Sequence, residues 1–286
     1  MKRSLIVVML GVLGVFSAAS AADGVAASAT LKKIKASSAI SIGVRHSAAP
    51  FSYFDASNQP QGFTWEVCKE IVRGLELELG QRLKTKVVSV NLAESFEKLD
   101  DTSIDLQCGS TTHTAERDKK VQFSKTFFVA GIKVAYRKDE PEFASPLNHG
   151  RVIYLKNSTA STVVKTIFAS TTDKAVFGGA NEVKSYEEGV ALLKSKQADT
   201  FFADIVLLPT DDAIKFRDKP LTVEPYALMM RKGDPVFSNM VDKLLSKTLQ
   251  TQGDAIAEKT GVKGKVNSLT REVWKRPSND TALSLY

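Results

Sequence analysis

The chain is poor in the residues that build metal centres and disulfide scaffolds. Its 286 residues include two cysteines and three histidines. His46, His113 and His149 stand in loop-like contexts without ligand spacing, so no metal is expected, and no cofactor motif accompanies them. Two cysteines are too few for a disulfide-dense scaffold. Cys68 shares helical spacing with Trp65, Ile71, Val72 and Leu75 and reads as a core thiol, whereas Cys108 ends a strand. Whether the two are joined stays open, because a sequence gives no Cα separation. There is also no block of like charge. The 39 Lys and Arg are interspersed with 32 Asp and Glu for a net +7, a scatter that favours solubility and excludes nucleic acid as the expected partner.

Long apolar runs are missing too, with one exception at the start. Lys2 and Arg3 precede an uncharged apolar run at 5–16, and Ala19-Ser20-Ala21 fits a secretory cleavage signal. The run is too short to span a bilayer comfortably. The expectation is export with cleavage after Ala21 and a free periplasmic protein, since no cysteine stands beside the cleavage site to carry a lipid. The leader takes two basic residues and no acidic ones, leaving residues 22–286 mildly basic at +5. That length suits two lobes with separate cores.

The most informative stretch is 107–117, QCGSTTHTAER. It follows a short alternating segment at 104–107 that reads as a strand reaching its carboxyl end, where α/β proteins bind ligands. Gly109 lets backbone come close to a bound group, Ser110, Thr111 and Thr112 offer hydroxyls and amides, and a helix is expected over 115–120. Arg117 supplies a planar fork suited to a carboxylate. The plainer reading of the same residues is a helix cap with a solvated charge.

Around this stretch the elements alternate. A lead-in at 22–38 precedes a strand at 39–44 ending at Arg45, then a turn-rich loop carrying Phe51, Tyr53 and Phe54. Thr64 reads as the cap of the next helix. A strand at 86–90, a helix at 94–99 and a strand at 104–108 complete a βαβαβ half. Two apolar runs, 127–136 and 226–230, end in the similar segments Arg137-Lys138-Asp139-Glu140-Pro141 and Arg231-Lys232-Gly233-Asp234-Pro235. They read as paired crossings between lobes, which places lobe 1 at 22–137 and 231–286 and lobe 2 at 138–230. Inside lobe 2, Asn157-Ser158-Thr159 caps a helix, a strand is expected at 175–177, and a strand at 198–203 delivers Asp204 to its carboxyl end. An amphipathic helix is expected at 236–249, with shorter helices at 255–260 and 269–274 and a weakly held tail after Pro277.

The 107–117 stretch resembles the GST(T)-x-x-x-ER segment of bacterial periplasmic amino-acid-binding proteins, the family 3 solute receptors of ABC importers, and most closely their glutamate/aspartate branch. Segments 43–55 (GVRHSAAPFSYFD), 123–134 (FSKTFFVAGIKV) and 201–208 (FFADIVLL) extend the likeness over most of the chain. The resemblance implies two Rossmann-like α/β lobes joined by a two-strand hinge, the type II periplasmic binding fold. It also implies a monomeric, non-enzymatic receptor that needs no cofactor and hands a polar L-amino acid to a membrane permease and ATPase. Arg117, assisted by Thr112 and the amides of 110–112 including Ser110, would take the α-carboxylate. Asp204 would take the α-ammonium, and the helix starting near Ser158 and Thr159 would aim its positive end at the carboxylate. Arg45, Phe51, Leu92, Ser95 and Tyr186 would lie near the ligand side chain. The branch carries a basic residue about where Ser95 falls and a histidine about where Tyr186 falls. Glutamate and aspartate are therefore the leading candidates, with a neutral or aromatic-bearing ligand close behind.

Three other classes stay open at this point. A cyclohexadienyl dehydratase-like enzyme on the same scaffold would need a cleft acid or base besides Asp204, for which loop residues such as Glu182 or Asp211 are available. A sensing lobe of a larger receptor or lytic enzyme, and a structural exported protein with a degenerate cleft, complete the set.

Overall fold

The computed structural model describes residues 25–140, 150–170 and 177–279. The expected leader with its cleavage signal, part of the strand expected at 175–177 and the end of the expected tail lie outside them. Helix α1 (Ala29–Ser37) is capped by Ser28 and delivers the chain to β1 (Ala39–Arg45). The loop that follows is pinned by a small antiparallel sheet of β2 (Ser47–Ala48), β3 (Ser52–Phe54) and β4 (Pro60–Gln61). Helix α2 (Phe63–Leu79) then begins at Gly62, not at a threonine cap. Thr64 lies inside the helix, fully buried, and its backbone N donates to the Phe51 carbonyl at 2.9 Å. Gly62 has φ +113°, and a Cβ there would sit 2.3 Å from the same carbonyl oxygen, so only glycine lets the loop close onto the helix start.

Next come β5 (Lys84–Val90), α3 (Leu92–Asp100) and β6 (Leu106–Thr112). A reciprocal capping box between Asn91 and Glu94 fixes the start of α3. β6 runs further than its alternation suggests. The Gly-Ser-Thr-Thr segment is strand and not a turn, because β13 (Glu224–Met230) pairs with it, Ala227 opposite Thr111 and Tyr226 opposite Thr112. A single helical turn, α4 (Ala115–Asp118), carries Arg117. Strands β7 (Gln122–Ala130) and β8 (Ile132–Arg137) flank the first crossing. The second lobe adds β9 (Gly150–Leu155), α5 (Thr159–Ser170), β10 (Phe177–Val183), α6 (Tyr186–Lys194), β11 (Thr200–Asp204) and β12 (Ile214–Phe216). β13 (Glu224–Met230) returns to the first lobe, followed by α7 (Pro235–Lys259) and α8 (Ser268–Lys275). α7 is one helix where two were expected. Asp234 caps it and Pro235 opens it.

Two five-stranded sheets result, in the orders β5-β1-β6-β13-β7 and β10-β9-β11-β8-β12. In each, parallel βαβ strands are completed by antiparallel strands next to the crossings. This pairing corrects the lobe boundaries read from the sequence. β8 pairs with β11 and β12 and so belongs to the second lobe, while β13 pairs with β6 and β7 and belongs to the first. The chain therefore crosses at Gly131 and just before Glu224, not after Arg137 and Met230. The apolar runs that read as hinge are buried sheet strands lying beside it. At the crossing the two segments are tied directly, Leu221 N to Ile132 O at 2.7 Å and Ile132 N to Thr222 Oγ1 at 3.2 Å. A Cβ on Gly131 would lie 2.9 Å from the Thr222 carbonyl oxygen.

The first core gathers Phe51, Phe63, Phe127, Phe128 and Trp274. Trp274 stacks on Phe63 with ring centroids 5.9 Å apart and donates its indole N–H to Phe127 O at 2.6 Å, docking α8. Cys68 and Cys108 are joined by a disulfide, Cα to Cα 6.4 Å. The core-thiol reading is thus corrected: the helical spacing does bury Cys68, and it buries it against Cys108 within β6. Among the described residues no helix is long and apolar enough to cross a membrane.

Candidate functional site

The carboxyl ends of β1 and β6 in the first lobe face the end of β11 and the starts of α5 and α6 in the second. The lobes touch across this line. Arg117 Nη2 donates to Asn157 O at 3.1 Å, and Ser47 Oγ donates to Glu187 Oε2 at 3.1 Å. Behind these contacts lies a polar cluster that packing alone does not explain. Arg45 Nε, both amide atoms of Gln107, Ser110 Oγ, Thr111 Oγ1, Asp204 Oδ1 and Tyr226 Oη are buried without a hydrogen-bond partner. Buried polar groups are normally paired, each orphan costing about 1–3 kcal/mol. Among them Arg45 and Tyr226 of the first lobe and Asp204 of the second lie within each other's electrostatic reach, and orphans shared in this way by two lobes mark a place built for a polar guest.

Most residues singled out from the sequence converge there. Arg45, 8% exposed, ends β1 with burial working against its charge; Tyr186 and Tyr226 are the groups that favour that charge. Arg117 Nη1 donates to Thr112 O at 2.9 Å. Burial lowers its pKa and Glu224 and Asp204 oppose that, while Arg45 adds to it. Asp204 ends β11, and its carboxyl is pushed well above the usual carboxylate range, by burial first and by Glu224 second, with Tyr226 and Arg117 acting the other way. Tyr186 opens α6, its phenol raised by burial and by Asp204. The Tyr226 hydroxyl stands beside Asp204 and favours its charged form, while Asp204 raises the phenol. Ser110 and Thr112 are buried at the end of β6.

Other chosen residues have their side chains committed to partners within the protein. Ser95 Oγ donates to Asn91 O at 2.7 Å. Ser158 Oγ donates to Leu155 O at 2.7 Å and accepts from Ser161 N at 3.3 Å, capping α5. Thr159 Oγ1 donates to Glu224 Oε2 at 2.7 Å. Phe51 is fully buried beneath the cluster, its ring 4.8 Å from Phe128 and 5.6 Å from Tyr226. Its place is in the core, because the short β2–β3 hairpin folds the loop over it.

Three contributors escaped the sequence reading: Glu224, Tyr226 and Gln107. Glu224 opens β13 at 3% exposure, its oxygens accepting from Thr159 and, at 2.6 Å, from Thr222 Oγ1. A glutamate just ahead of the apolar run 226–230 was the available signal. Glu182 and Asp211, the loop carboxylates weighed for catalysis, pair with lysines: Glu182 with Lys156 and Lys165, Asp211 with Lys194. Outside the cluster, α3, Arg117 and Asn157 line an open groove of about 670 Å³. It shares only Arg117 with the polar cluster.

The comparisons agree with this architecture. A glutamate/aspartate import solute-binding protein of Salmonella typhimurium is 29% identical over 246 residues, 83% of this chain and 80% of that protein. A cysteine-binding protein from Campylobacter jejuni superposes with a TM-score of 0.68 at 23% identity, covering 84% of this chain and 95% of the other. An ancestral amino acid-binding protein, described as a precursor of cyclohexadienyl dehydratase, gives a TM-score of 0.70 at 22% identity over 82% of this chain and 99% of its own. The model of the bacterial extracellular solute-binding proteins, family 3, matches residues 40–266, and the chain belongs to that family.

Proposed function

We propose that the protein is a periplasmic receptor that closes on a polar L-amino acid and presents it to an ABC importer, its leader being removed after Ala21. The observation that carries this reading is the ring of buried, unpartnered polar atoms contributed by both lobes. In this assignment the free donors of Arg117 take the α-carboxylate, helped by Ser110, Thr112 and the α5 N-terminus that Ser158 and Thr159 begin. Asp204 takes the α-ammonium, whose charge offsets the burial that raises its pKa. A ligand held from both sides stabilises the closed form by its differential contacts.

Arg45 and Tyr186 face the side chain. Among the described residues no carboxylate comes within ion-pair distance of Arg45, and its Nε is orphaned. An unpaired buried cation favours an anionic guest, so glutamate and aspartate lead. The assembly works as a monomer, with the permease and ATPase as partners. Calorimetry on refolded, ligand-free protein with the full amino-acid set tests the reading; heat from none of them refutes it. Arg117→Ala should abolish binding with the fold intact, and retained affinity would reassign the carboxylate partner.

One feature favours a second reading, an enzyme of the cyclohexadienyl dehydratase kind. Glu224 sets a second buried carboxylate beside Asp204 and raises its pKa, the arrangement expected of an acid/base pair. Both Glu224 oxygens are engaged by threonine hydroxyls, which favours an anchor over a proton donor. Ring aromatisation of prephenate or arogenate by the protein would decide for the enzyme.

A further inference from the structure

We infer that Gln107 is a specificity-determining residue, donating to the ligand side chain and, by being neutral, leaving the charge of Arg45 available to an acid. The inference rests on the receptor reading above and deepens it.

Gln107 is fully buried in β6, opposite Gly43 of β1, and neither end of its amide has a partner. β-strand geometry puts residues 107 and 109 on the same face of the sheet, with 43 and 45 of the neighbouring strand. Two of these four positions are glycine, and the space their missing side chains leave is taken by Ile104 over Gly43 and by Gln107 and Arg45 over Gly109. The amide reaches towards the ligand end of the sheet. A Cβ built on Gly109 would lie 2.3 Å from Gln107 Nε2 and 2.9 Å from Arg45 Cγ, so the two side chains bracket a single point. Below them the face is apolar, formed by Leu99, Ile104, Phe123 and Met229, and offers the amide nothing to bond.

The chemistry follows from charge and donor count. Ser95, on the adjacent α3, spends its hydroxyl on Asn91 O and brings no charge. Arg45 is then the cation available to a side-chain carboxylate, and its value depends on what stands beside it. A carboxylate at 107 would neutralise it from within the protein. A carboxamide instead adds an N–H donor, and since both amide atoms are free, either orientation can be turned towards the guest. The face thus presents guanidinium and amide donors to one anionic group.

The test compares the whole secreted protein with Gln107→Glu and Gln107→Met, titrating each calorimetrically with glutamate, aspartate and glutamine and recording the melting temperature of each ligand-free form. Q107E should lose about a hundredfold or more in affinity for the acids and much less for glutamine, through internal pairing with Arg45. Q107M, close in volume and uncharged, should lose about tenfold for the acids, one hydrogen bond to a charged group, with an unchanged or higher melting temperature. The inference is overturned if Q107M binds the acids as the parent does, if Q107E weakens acids and glutamine alike, or if the parent binds only neutral amino acids. A parent that binds no amino acid refutes the receptor reading itself, a result distinct from variants that merely match the parent.

Discussion

Replacing Arg45 with methionine should move binding and stability in opposite directions. Arg45 is 8% exposed, its Nε is orphaned, and its stem packs over Gly109. Methionine keeps that stem and removes the charge. Exchanging an uncompensated buried charge for an apolar group of similar volume is worth about 1–4 kcal/mol to the closed form. At about 2–4 °C per kcal/mol for a chain of this class, ligand-free protein should melt at least about 2 °C higher. The same change removes the partner of the ligand's distal carboxylate and should weaken glutamate or aspartate by about a hundredfold or more. Scanning calorimetry without ligand and titration calorimetry with it read the two effects separately. A lower melting temperature together with unchanged acid affinity would refute both the assignment and the account of the buried charge.

Further outcomes follow from features outside the cleft. The Cys68–Cys108 bridge closes a loop of 40 residues, so reduction, or Cys68→Ser with Cys108→Ser, should cost about 4 kcal/mol on the chain-entropy model, read by denaturant titration with and without reductant. A cost below about 1 kcal/mol would indicate that the bridge constrains little. Asp234 accepts from Ser28 Oγ at 2.7 Å, Thr30 N at 2.9 Å and Phe237 N at 3.1 Å, tying α1 to the start of α7. Asp234→Ala should destabilise by about 2–4 kcal/mol, and proteolysis should then begin at the N-terminal segment. His113 is buried against Phe123 at 4.4 Å, and burial pulls its pKa below the ordinary value against the pull of Asp118. The unfolded chain then takes up the proton more readily, so stability is present above the unfolded pKa of about 6.5 and falls as pH drops through it. His113→Gln should flatten that dependence between about pH 7.5 and 5.5; parallel curves would assign the acid sensitivity elsewhere.

The alternation of strand and helix in the βαβαβ half was legible because each element carries its own period, although the helix expected at 94–99 starts at Leu92, where the Asn91–Glu94 capping box went unread. The positions of Asp204 at the end of β11 and of Arg117 in the helical turn after β6 were legible because the strands before them are readable. Gln107, Glu224 and Tyr226 were not. Their roles depend on which strand lies next to which: Tyr226 reaches Asp204 only because β13 inserts between β6 and β7, a non-local pairing that no local pattern encodes. The same insertion explains the displaced lobe boundaries, since the apolar run that returns to the first lobe looks, residue by residue, like a crossing. The disulfide was hidden for a related reason. Whether Cys68 meets Cys108 is decided by how α2 lies across β6 and not by anything within either element.

The closeness of the two segments at Gly131 sets how the lobes can move. Ribbons lying this near and laced by their own amides behave as a leaf spring, which yields readily to twist and bending and resists being pulled apart or slid lengthwise. Any side chain at 131 would act as a shim between the leaves. It would prop the jaws at a fixed gape and loosen the grip on the guest without touching a single atom that holds it.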